Sequence, residues 1–294
     1  MQNNLLYSRR ELLKNSAVIT GLATLGLLSL DMVNPNIKNK YKIGACDWSI
    51  GKQNEVEALA LAKKIGLDGV QVSLGSVENN MHLRQKEVQE AYKQAAKKYG
   101  VKVSGLAIGE LNNVPYKSEP ETEEWVSDSI DVAQAMGCKV ILLAFFSKGD
   151  LRADEAGIRE VIRRLKKVAP KAEKAGIILG IESWLSADEH LDIIYAIGSK
   201  NVQVYFDVAN SYQMGHDIYE EMSRLGKEYI CEVHAKENGY LLGQGNIDFV
   251  KVKKVLNDIN YRGWIIMEGG VPTGADLFDS YVANTKYIRS IFNP

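Results

Sequence analysis

The sequence predicts an α/β fold, a (β/α)8 TIM barrel that forms a single domain over residues 40–294. Eight short apolar runs alternate with eight amphipathic stretches. They recur about every 32 residues over about 250 residues, which is the size of such a barrel. The apolar runs are continuous rather than alternating with polar residues, which is typical of strands covered on both faces.

The eight strands are predicted from these apolar runs and the eight helices from the stretches between them. The predicted strands are Lys42–Cys46, Gly69–Ser73, Val101–Ala107, Val140–Ala144, Ile177–Glu182, Val202–Asp207, Tyr229–His234 and Trp264–Glu268. The predicted helices are Glu55–Ile65, Arg84–Tyr99, Thr122–Met136, Ala156–Ala175, Ala187–Ile197, Asp217–Leu225, Phe249–Ile259 and Leu277–Ile291. Gly66, Gly100, Gly137 and Gly176 follow four of these helices, where a left-handed residue commonly ends a helix. A doubly wound open sheet is the alternative, but no Gly-x-Gly-x-x-Gly follows the first strand.

The composition is that of a globular protein whose net charge is too small to attract polyanions. Its 36 Lys and Arg residues balance 37 Asp and Glu residues, which gives a net charge of −1. Binding to a phosphate backbone depends on clustered positive charge, so nucleic acid is not an expected partner. Cys46, Cys138 and Cys231 are widely separated, and they form neither a disulfide framework nor a CxxC motif.

Residues 1–39 are predicted to be an export signal and linker rather than part of the barrel. Arg9 and Arg10 precede the apolar run Ala17–Leu30. That run has about 14 residues, whereas a membrane span needs roughly 20. The segment resembles a twin-arginine (Tat) signal, so the expected partner is the export machinery for folded proteins and the expected location is the periplasm. An uncleaved membrane anchor and a cytoplasmic amphipathic helix are the alternatives.

Four consecutive predicted strands end on an acidic or imidazole side chain. These residues are Glu182, Asp207, His234 and Glu268. The carboxyl ends of barrel strands meet at one face, and buried carboxylates are costly unless a partner or a metal neutralises them. We therefore expect one divalent metal ion (Mn²⁺, Mg²⁺, Co²⁺ or Zn²⁺) at this point, because the oxygen-rich donor set with one nitrogen suits these ions. For any single residue, a hydrogen bond to a helix N-terminus is the alternative.

The segments around these residues resemble the xylose-isomerase-like barrel superfamily, and within it the sugar-phosphate isomerase/epimerase branch. The segments are Ile181-Glu182-Ser183-Trp184-Leu185-Ser186-Ala187, Tyr205-Phe206-Asp207-Val208-Ala209-Asn210-Ser211, Val233-His234-Ala235-Lys236-Glu237-Asn238, Leu242-Gly243-Gln244-Gly245-Asn246-Ile247-Asp248-Phe249 and Gly263-Trp264-Ile265-Ile266-Met267-Glu268. The resemblance implies that the four strand-end residues bind one divalent metal. It also implies that Glu182 and Glu268 carry the proton in the epimerases of the family.

Two positions depart from the family pattern. Asn210 stands where many relatives have a second histidine, and Lys236 is the only cation near the position where ketose epimerases have an arginine. The identity of the substrate therefore cannot be carried over from the epimerases.

Five residues are candidates for binding the substrate: Trp48, Trp184, Asn210, Lys236 and Glu189. The two tryptophans follow predicted strands and can stack on a sugar ring, although packing is the alternative for each. Lys236 can hold a substrate hydroxyl or an enediolate oxygen, or only pair with Glu237. Glu189 lies where epimerase relatives have an acidic residue. His190 and His216 are predicted to lie on solvated helix surface or at helix caps.

These observations predict a metal-dependent isomerase or epimerase that acts on a sugar or keto-sugar by proton transfer through an enediolate. The expected partner is a small-molecule carbohydrate, and the export signal favours an unphosphorylated sugar or 3-keto-glycoside. A lyase or dehydratase acting on a keto-sugar or inositol derivative and a non-catalytic sugar-binding barrel are the alternatives. A DNA-repair barrel of the same superfamily is disfavoured, because His234 is the only histidine at a predicted strand end. Whether the chain forms a homo-oligomer is left open.

Overall fold

The computed structural model describes residues 41–294. In this part of the chain, eight parallel strands close into a barrel in chain order, and the last strand pairs with the first. The strands are β1 Lys42–Cys46, β2 Gly69–Ser73, β3 Lys102–Ile108, β4 Val140–Phe145, β5 Ile178–Ser183, β6 Val202–Asp207, β7 Ile230–Glu237 and β8 Trp264–Gly269. The predicted single-domain (β/α)8 TIM barrel is confirmed.

The helices lie between the strands, as predicted. They are α1 Ala58–Ile65, α2 Lys86–Tyr99, α3 Glu121–Met136, α4 Glu155–Ala175, α5 Ala187–Ile197, α6 Val208–Gln213, α7 Ile218–Tyr229, α8 Phe249–Asp258 and α9 Leu277–Phe292. Short 3-10 helices occupy His82–Arg84, Gly109–Asn112 and Ser147–Gly149. Helix α6 was not predicted, because its six residues are too few to show an amphipathic period.

The predicted export signal, including Arg9 and Arg10, lies outside the described residues. Among residues 41–294, no helix combines the length and the apolar character that crossing a membrane requires.

The glycine caps form where the sequence places them. Gly66, Gly100, Gly137 and Gly176 all have left-handed backbone angles, and each amide returns a hydrogen bond to the last turn of its helix. A side chain in this conformation is strained, so glycine ends the helix and turns the chain into the next strand.

Strand β7 extends three residues beyond its predicted end at His234. Side chains alternate between the two faces of a strand, so Lys236 points to the same face as His234. The longer strand therefore places Lys236 at the cavity instead of in a loop. Helix α7 also differs from its prediction, since it continues past a kink at Gly226, where φ is 64°.

A small apolar cluster lies apart from the main core and is built from β3, β4, β6 and β7. Its members are Ala107, Val140, Leu142, Ala144, Tyr205 and Cys231. The alternate residues of β4 in this cluster face the barrel interior, and the register places Ala144 beside Glu182. Side chains that end the strands at this level therefore meet above a filled interior.

Candidate active site

The strand register brings the four predicted strand-end residues together. Asp207 pairs with His234, and Lys236 on β7 pairs with Glu268 on β8. One potential ligand atom from each of Glu182, Asp207, His234 and Glu268 lies within 4.8 Å of the other three. Three of these residues are buried and Glu268 is partly exposed.

The imidazole of His234 points its Nδ1 atom at the carboxylates. This atom lies 2.8 Å from Glu182 Oε1, 3.5 Å from Glu268 Oε2 and 3.7 Å from Asp207 Oδ2. The other ring nitrogen, Nε2, lies 3.0 Å from Gln71 Oε1. With the Gln71 side chain in this orientation its amide oxygen accepts, so Nε2 is the donor and, in the neutral ring, Nδ1 faces the carboxylates without a proton. A lone pair on Nδ1 would then repel the carboxylates unless a proton or a metal cation lies between them.

Asp207 has one satisfied and one unsatisfied oxygen. Its Oδ1 atom accepts hydrogen bonds of 2.8 Å from the backbone amides of Ala209 and Asn210. Its Oδ2 atom is buried and has no hydrogen-bond partner among residues 41–294. A buried oxygen without a hydrogen-bond donor is costly, and a metal ion would satisfy it. Together with the imidazole and the two glutamates, this oxygen fits a divalent cation.

The charge balance also fits an ion of charge two. Three carboxylates surround the point, and the ammonium of Lys236 lies 2.9 Å from Glu268 Oε2 and 3.5 Å from Asp207 Oδ2. With a neutral imidazole, three negative charges and one positive charge leave a deficit of two positive charges.

The electrostatics of the cluster attract positive charge. Burial raises the pKa of the Glu182 carboxyl to about 7, although His234 opposes this shift. Burial also acts to raise the pKa of Asp207, but Lys236 and His234 outweigh it and hold that pKa at about 2. Burial lowers the pKa of His234, but the neighbouring Cys46, Glu182 and Glu268 groups outweigh burial and raise it well above its ordinary value. A proton or a metal cation relieves the same carboxylate repulsion.

A cavity of about 370 Å³ opens above the cluster. Its lining includes Glu182, Glu268 and four of the candidate substrate-binding residues: Trp48, Trp184, Asn210 and Lys236. Asp207 and His234 are not among the lining residues. The two glutamates are therefore the members of the cluster that can touch a bound molecule.

Both oxygens of Glu268 accept hydrogen bonds. Trp48 Nε1 donates to Oε1 at 2.9 Å, and Lys236 Nζ donates to Oε2 at 2.9 Å. Lys236 also lies 3.3 Å from Asn210 Oδ1, which makes that amide a further acceptor. The alternative partner of Lys236, Glu237, instead accepts hydrogen bonds from the backbone amides of Asn246 and Ile247. The carboxylate of Glu268 is thus held in one orientation at the edge of the cavity.

Two sequence expectations differ from the structure. Glu189 is exposed, forms a capping box with Ser186 at the start of α5, and is not among the residues that line the cavity. His190 was expected on solvated surface, and that expectation was wrong, because its side chain is buried. Its ring lies 2.9 Å from Ser183 Oγ and 2.9 Å from the carbonyl of Ser186.

Sequence reasoning missed two buried polar residues beneath the cavity. Gln71 lies inside an otherwise apolar strand, β2, and contacts His234. Asp47, after β1, accepts hydrogen bonds from the amide and the hydroxyl of Ser73, and burial raises its pKa to about 6. A lone amide in an apolar run was the one signal that pointed to Gln71.

Residues 59–290 match the sequence profile of the xylose isomerase-like TIM barrels. The chain is 25% identical over 239 residues to L-ribulose-5-phosphate 3-epimerase UlaE of Escherichia coli, which covers 75% of this chain and 84% of the relative. It is 26% identical over 145 residues to D-psicose 3-epimerase of Enterocloster bolteae, covering 45% of this chain and 46% of the relative. Inosose dehydratase of Clostridium perfringens is 24% identical over 225 residues, which cover 62% of this chain and 74% of that protein.

Solved structures share the fold. D-psicose 3-epimerase from Clostridium cellulolyticum, with D-tagatose, superposes with a TM-score of 0.73 at 18% identity and covers 86% of this chain and all of its own. The 3-keto-D-glucoside 4-epimerase YcjR of Escherichia coli gives a TM-score of 0.71 at 18% identity, with 85% of this chain and all of its own covered. At this level of identity, the structural similarity establishes the barrel fold alone. The reaction has to be inferred from the residues of the site.

Proposed function

Because the chain belongs to the xylose isomerase-like TIM barrel family, we propose that it is a divalent-metal-dependent isomerase or epimerase of a sugar or keto-sugar. The observation that supports the proposal is that the four residues of the cluster differ in their access to the cavity. All four residues have a potential ligand atom near one point, but only Glu182 and Glu268 also line the cavity. Two carboxylates beside a substrate are the groups that proton transfer requires.

Glu182, Asp207, His234 and Glu268 would hold the ion, which would supply Lewis acidity to a substrate carbonyl. One of the two glutamates would accept the proton from the carbon next to the carbonyl. The other would return a proton, either to the opposite face of that carbon, which gives an epimer, or to the neighbouring carbon, which gives an isomer. Trp48 and Lys236 orient Glu268. His234 would give its Nδ1 atom to the ion, in place of the 2.8 Å contact with Glu182.

Lys236 has a second task in this proposal. Its ammonium lines the cavity beside Glu268. Burial acts to lower its pKa, but the carboxylates of Asp207 and Glu268 outweigh burial and raise that pKa, which keeps the group positively charged. Negative charge develops on the substrate oxygen as the proton leaves carbon, and a fixed cation stabilises it most at that moment. Lys236 would donate a hydrogen bond to this enediolate oxygen.

The cavity favours an uncharged substrate. Among the described residues that line the cavity, Lys236 is the only Lys or Arg, and the proposal places it at the reacting oxygen rather than at a phosphate. The charges of Glu182 and Glu268 are balanced by Lys236 and the ion, so a phosphate would find no further cation among the described lining residues and would be repelled by Glu110. We therefore place an unphosphorylated sugar here, although the name of one relative specifies a sugar phosphate.

Loss of a hydroxyl group is the second candidate reaction. The similarity to inosose dehydratase covers 62% of this chain, and dehydration of a keto-polyol begins with proton removal beside a carbonyl. The two reactions then differ in whether the proton is returned to carbon or a neighbouring hydroxyl leaves.

The test is proton exchange in D₂O with the metal-loaded protein and a panel of unphosphorylated keto-sugars and keto-polyols. We expect deuterium at the carbon next to the carbonyl of the substrate that is turned over. Glu268→Gln should abolish this exchange. Glu189→Gln, which changes an exposed carboxylate outside the cavity, is the matched control and should retain it. Conversion of a substrate without deuterium uptake would overturn the proposal.

Residues 1–39 lead to a separate proposal, namely that this segment directs export of the folded protein to the periplasm. Its support is the pair Arg9 and Arg10 before a short apolar run. Replacing both arginines by lysine should leave the protein in the cytoplasm, as measured by cell fractionation. Unimpaired export of this double variant would contradict the twin-arginine interpretation.

A further inference from the structure

The cavity has a second region away from the charged cluster. The loops after β3, β4 and β5 contribute Asn112, Asn113, Phe146 and Trp184 to its lining. Amide groups bind hydroxyls, and aromatic rings pack against the C–H face of a sugar. Apart from Glu110, the side chains of these loops that line the cavity are uncharged.

Neighbouring side chains hold the aromatic residues of this region in place. Phe146 and Trp184 pack edge to face with ring centroids 5.0 Å apart. The Arg152 guanidinium lies 4.4 Å from the Trp184 ring centroid, and Asp150 accepts hydrogen bonds from its Nε and Nη2 atoms. Cation–π contact and packing together fix the orientation of Trp184 before any ligand arrives.

The backbone of this region is also fixed. The Asn112 side-chain oxygen accepts a 2.8 Å hydrogen bond from the amide of Phe146, which ties the β3 loop to the β4 loop. A preformed site of this kind costs little ordering entropy when a ligand binds. The amide of Asn113 is exposed at the rim, next to this tied loop.

The cavity extends from the charged cluster to the β3–β5 loops. Its volume is about 370 Å³, which is within the range of pockets that hold small organic ligands. The reacting ring must lie against Glu182, Glu268 and Lys236. The remaining volume then lies against the aromatic and amide side chains of the β3–β5 loops.

We infer that these loops form a subsite for a second ring, so that the substrate is a glycoside or disaccharide that carries the keto group on one of its sugars. This inference rests on the proposed function and specifies its substrate class. Phe146 and Trp184 bind the second ring by stacking, and Asn112 and Asn113 bind its hydroxyls. Glu110 is the one charged side chain that these loops contribute to the described lining, and its negative charge disfavours a phosphate or other anionic group at this position.

The experiment compares three forms of one keto-sugar: the free monosaccharide, its methyl glycoside and its disaccharide. Deuterium exchange in D₂O is measured for each with the metal-loaded wild-type protein. We expect the KM of the disaccharide to be at least about tenfold lower than that of the free sugar, which corresponds to about 1.4 kcal/mol. Equal KM values with exchange on all three forms would overturn the subsite and leave the proposed function standing. Exchange on none of them would overturn the proposed function, and this inference with it.

Two variants locate the subsite. Phe146→Ala should raise the KM of the disaccharide and reduce its advantage over the free sugar to less than about threefold, since aromatic stacking contributes about 1 kcal/mol. Tyr195→Ala is the matched control, because this aromatic side chain is exposed on α5 and packs against Tyr229 outside the cavity. It should keep the full advantage. An unchanged advantage in Phe146→Ala would contradict the assignment.

A binding measurement gives a readout that does not depend on turnover. Titration calorimetry with the unoxidised disaccharide and monosaccharide should show tighter binding of the disaccharide to wild type. Phe146→Leu keeps most of the apolar volume and serves if the alanine variant does not fold. It should lose part of that difference, and a wild-type protein that binds both sugars equally would count against the subsite.

Discussion

The two halves of the barrel end differently at the cavity. Strands β5 to β8 contribute Glu182, Asp207, His234 and Glu268 near their carboxyl ends, whereas β2 to β4 contribute neutral side chains at the cavity, namely Ser73, Ala107 and Ala144. The apolar half, β1–β4, and the charged half, β5–β8, are both built from parallel strands that are followed by helices. The four strand-end groups of the charged half lie on adjacent strands and can share one counter-ion. The comparison indicates that the charged half determines the chemistry, whereas the apolar half determines stability and the shape of the cavity in which the substrate binds.

The largest expected effect tests the charged half. Replacing Glu182 or Glu268 by Gln should lower kcat by about 10²–10⁴-fold, because an amide cannot accept the proton. Metal should still bind, since an amide oxygen can coordinate, and the unfolding midpoint should change little. Steady-state kinetics together with elemental analysis of the purified variants measures both properties. A Glu268→Gln protein with full activity would contradict the conclusion that the charged half carries out the reaction.

The next effect concerns the apolar half. Phe145 is completely buried at the end of β4 and packs edge to face against Tyr116. Phe145→Ala should lower the free energy of unfolding by about 3–5 kcal/mol. The folded fraction should keep its kcat. Urea denaturation gives the first quantity, and Val250→Ala on the exposed surface of α8 is the control, with an expected change within about 0.5 kcal/mol.

If the folded Phe145→Ala protein instead lost kcat while its stability stayed close to that of wild type, the division between the halves would be wrong. Kinetics at low temperature, where the variant remains folded, separates these two outcomes.

A smaller effect is expected at Lys236, the cation within the charged half. Lys236→Met keeps the length of the side chain and removes its charge, so kcat should fall about 10²-fold through the loss of one stabilising donor. Lys236→Arg should recover part of the activity because it restores the positive charge. A methionine variant as active as wild type would show that Lys236 only balances charge in the resting cluster.

The smallest effect is the pH dependence of stability at the junction of β5 and α5. Burial lowers the pKa of His190 to about 4, below the ordinary value of 6.5. As the pH falls, His190 is therefore protonated in the unfolded chain at a higher pH than in the folded protein. Protonation of the unfolded chain lowers the free energy of unfolding between pH 6.5 and pH 4. Between pH 7 and pH 5 this loss should be about 2 kcal/mol.

Urea denaturation at the two pH values measures this loss. His190→Gln cannot take up the proton and should show a smaller loss than wild type, whereas Val250→Ala, on the exposed surface of α8, should resemble wild type. Equal losses in wild type and His190→Gln would assign the acid sensitivity to other groups.

The strands and the four strand-end residues were predictable because they depend on local pattern and chain order. Continuous apolar runs fix the strands to within a few residues, and parallel strands in a barrel must bring Glu182 and Glu268 to one face. The side-chain partners were not predictable. The contacts of Glu268 with Trp48 and of His234 with Gln71 join residues 220 and 163 positions apart and depend on side-chain rotamers.

His190 shows a signal that was present but not used. It lies one position before Leu191 and four before Ile194, on the side of α5 that packs against the barrel. Burial of a histidine there needs only acceptors and donors for its two nitrogens, which Ser186 and Ser183 provide. The helical period, applied to this polar residue as well as to the apolar ones, would have predicted that His190 is buried.

The ring of strands gives the two halves two borders at the cavity, one between β4 and β5 and one between β8 and β1. An aromatic contact crosses each border: Phe146 meets Trp184 at the first, and Trp48 meets Glu268 at the second. A chimera that joined the first half of this chain to the second half of a relative would have to preserve these two contacts. Exchange of half-barrels is therefore a route by which new substrate preferences could be combined with an unchanged reaction centre, in evolution or in the laboratory.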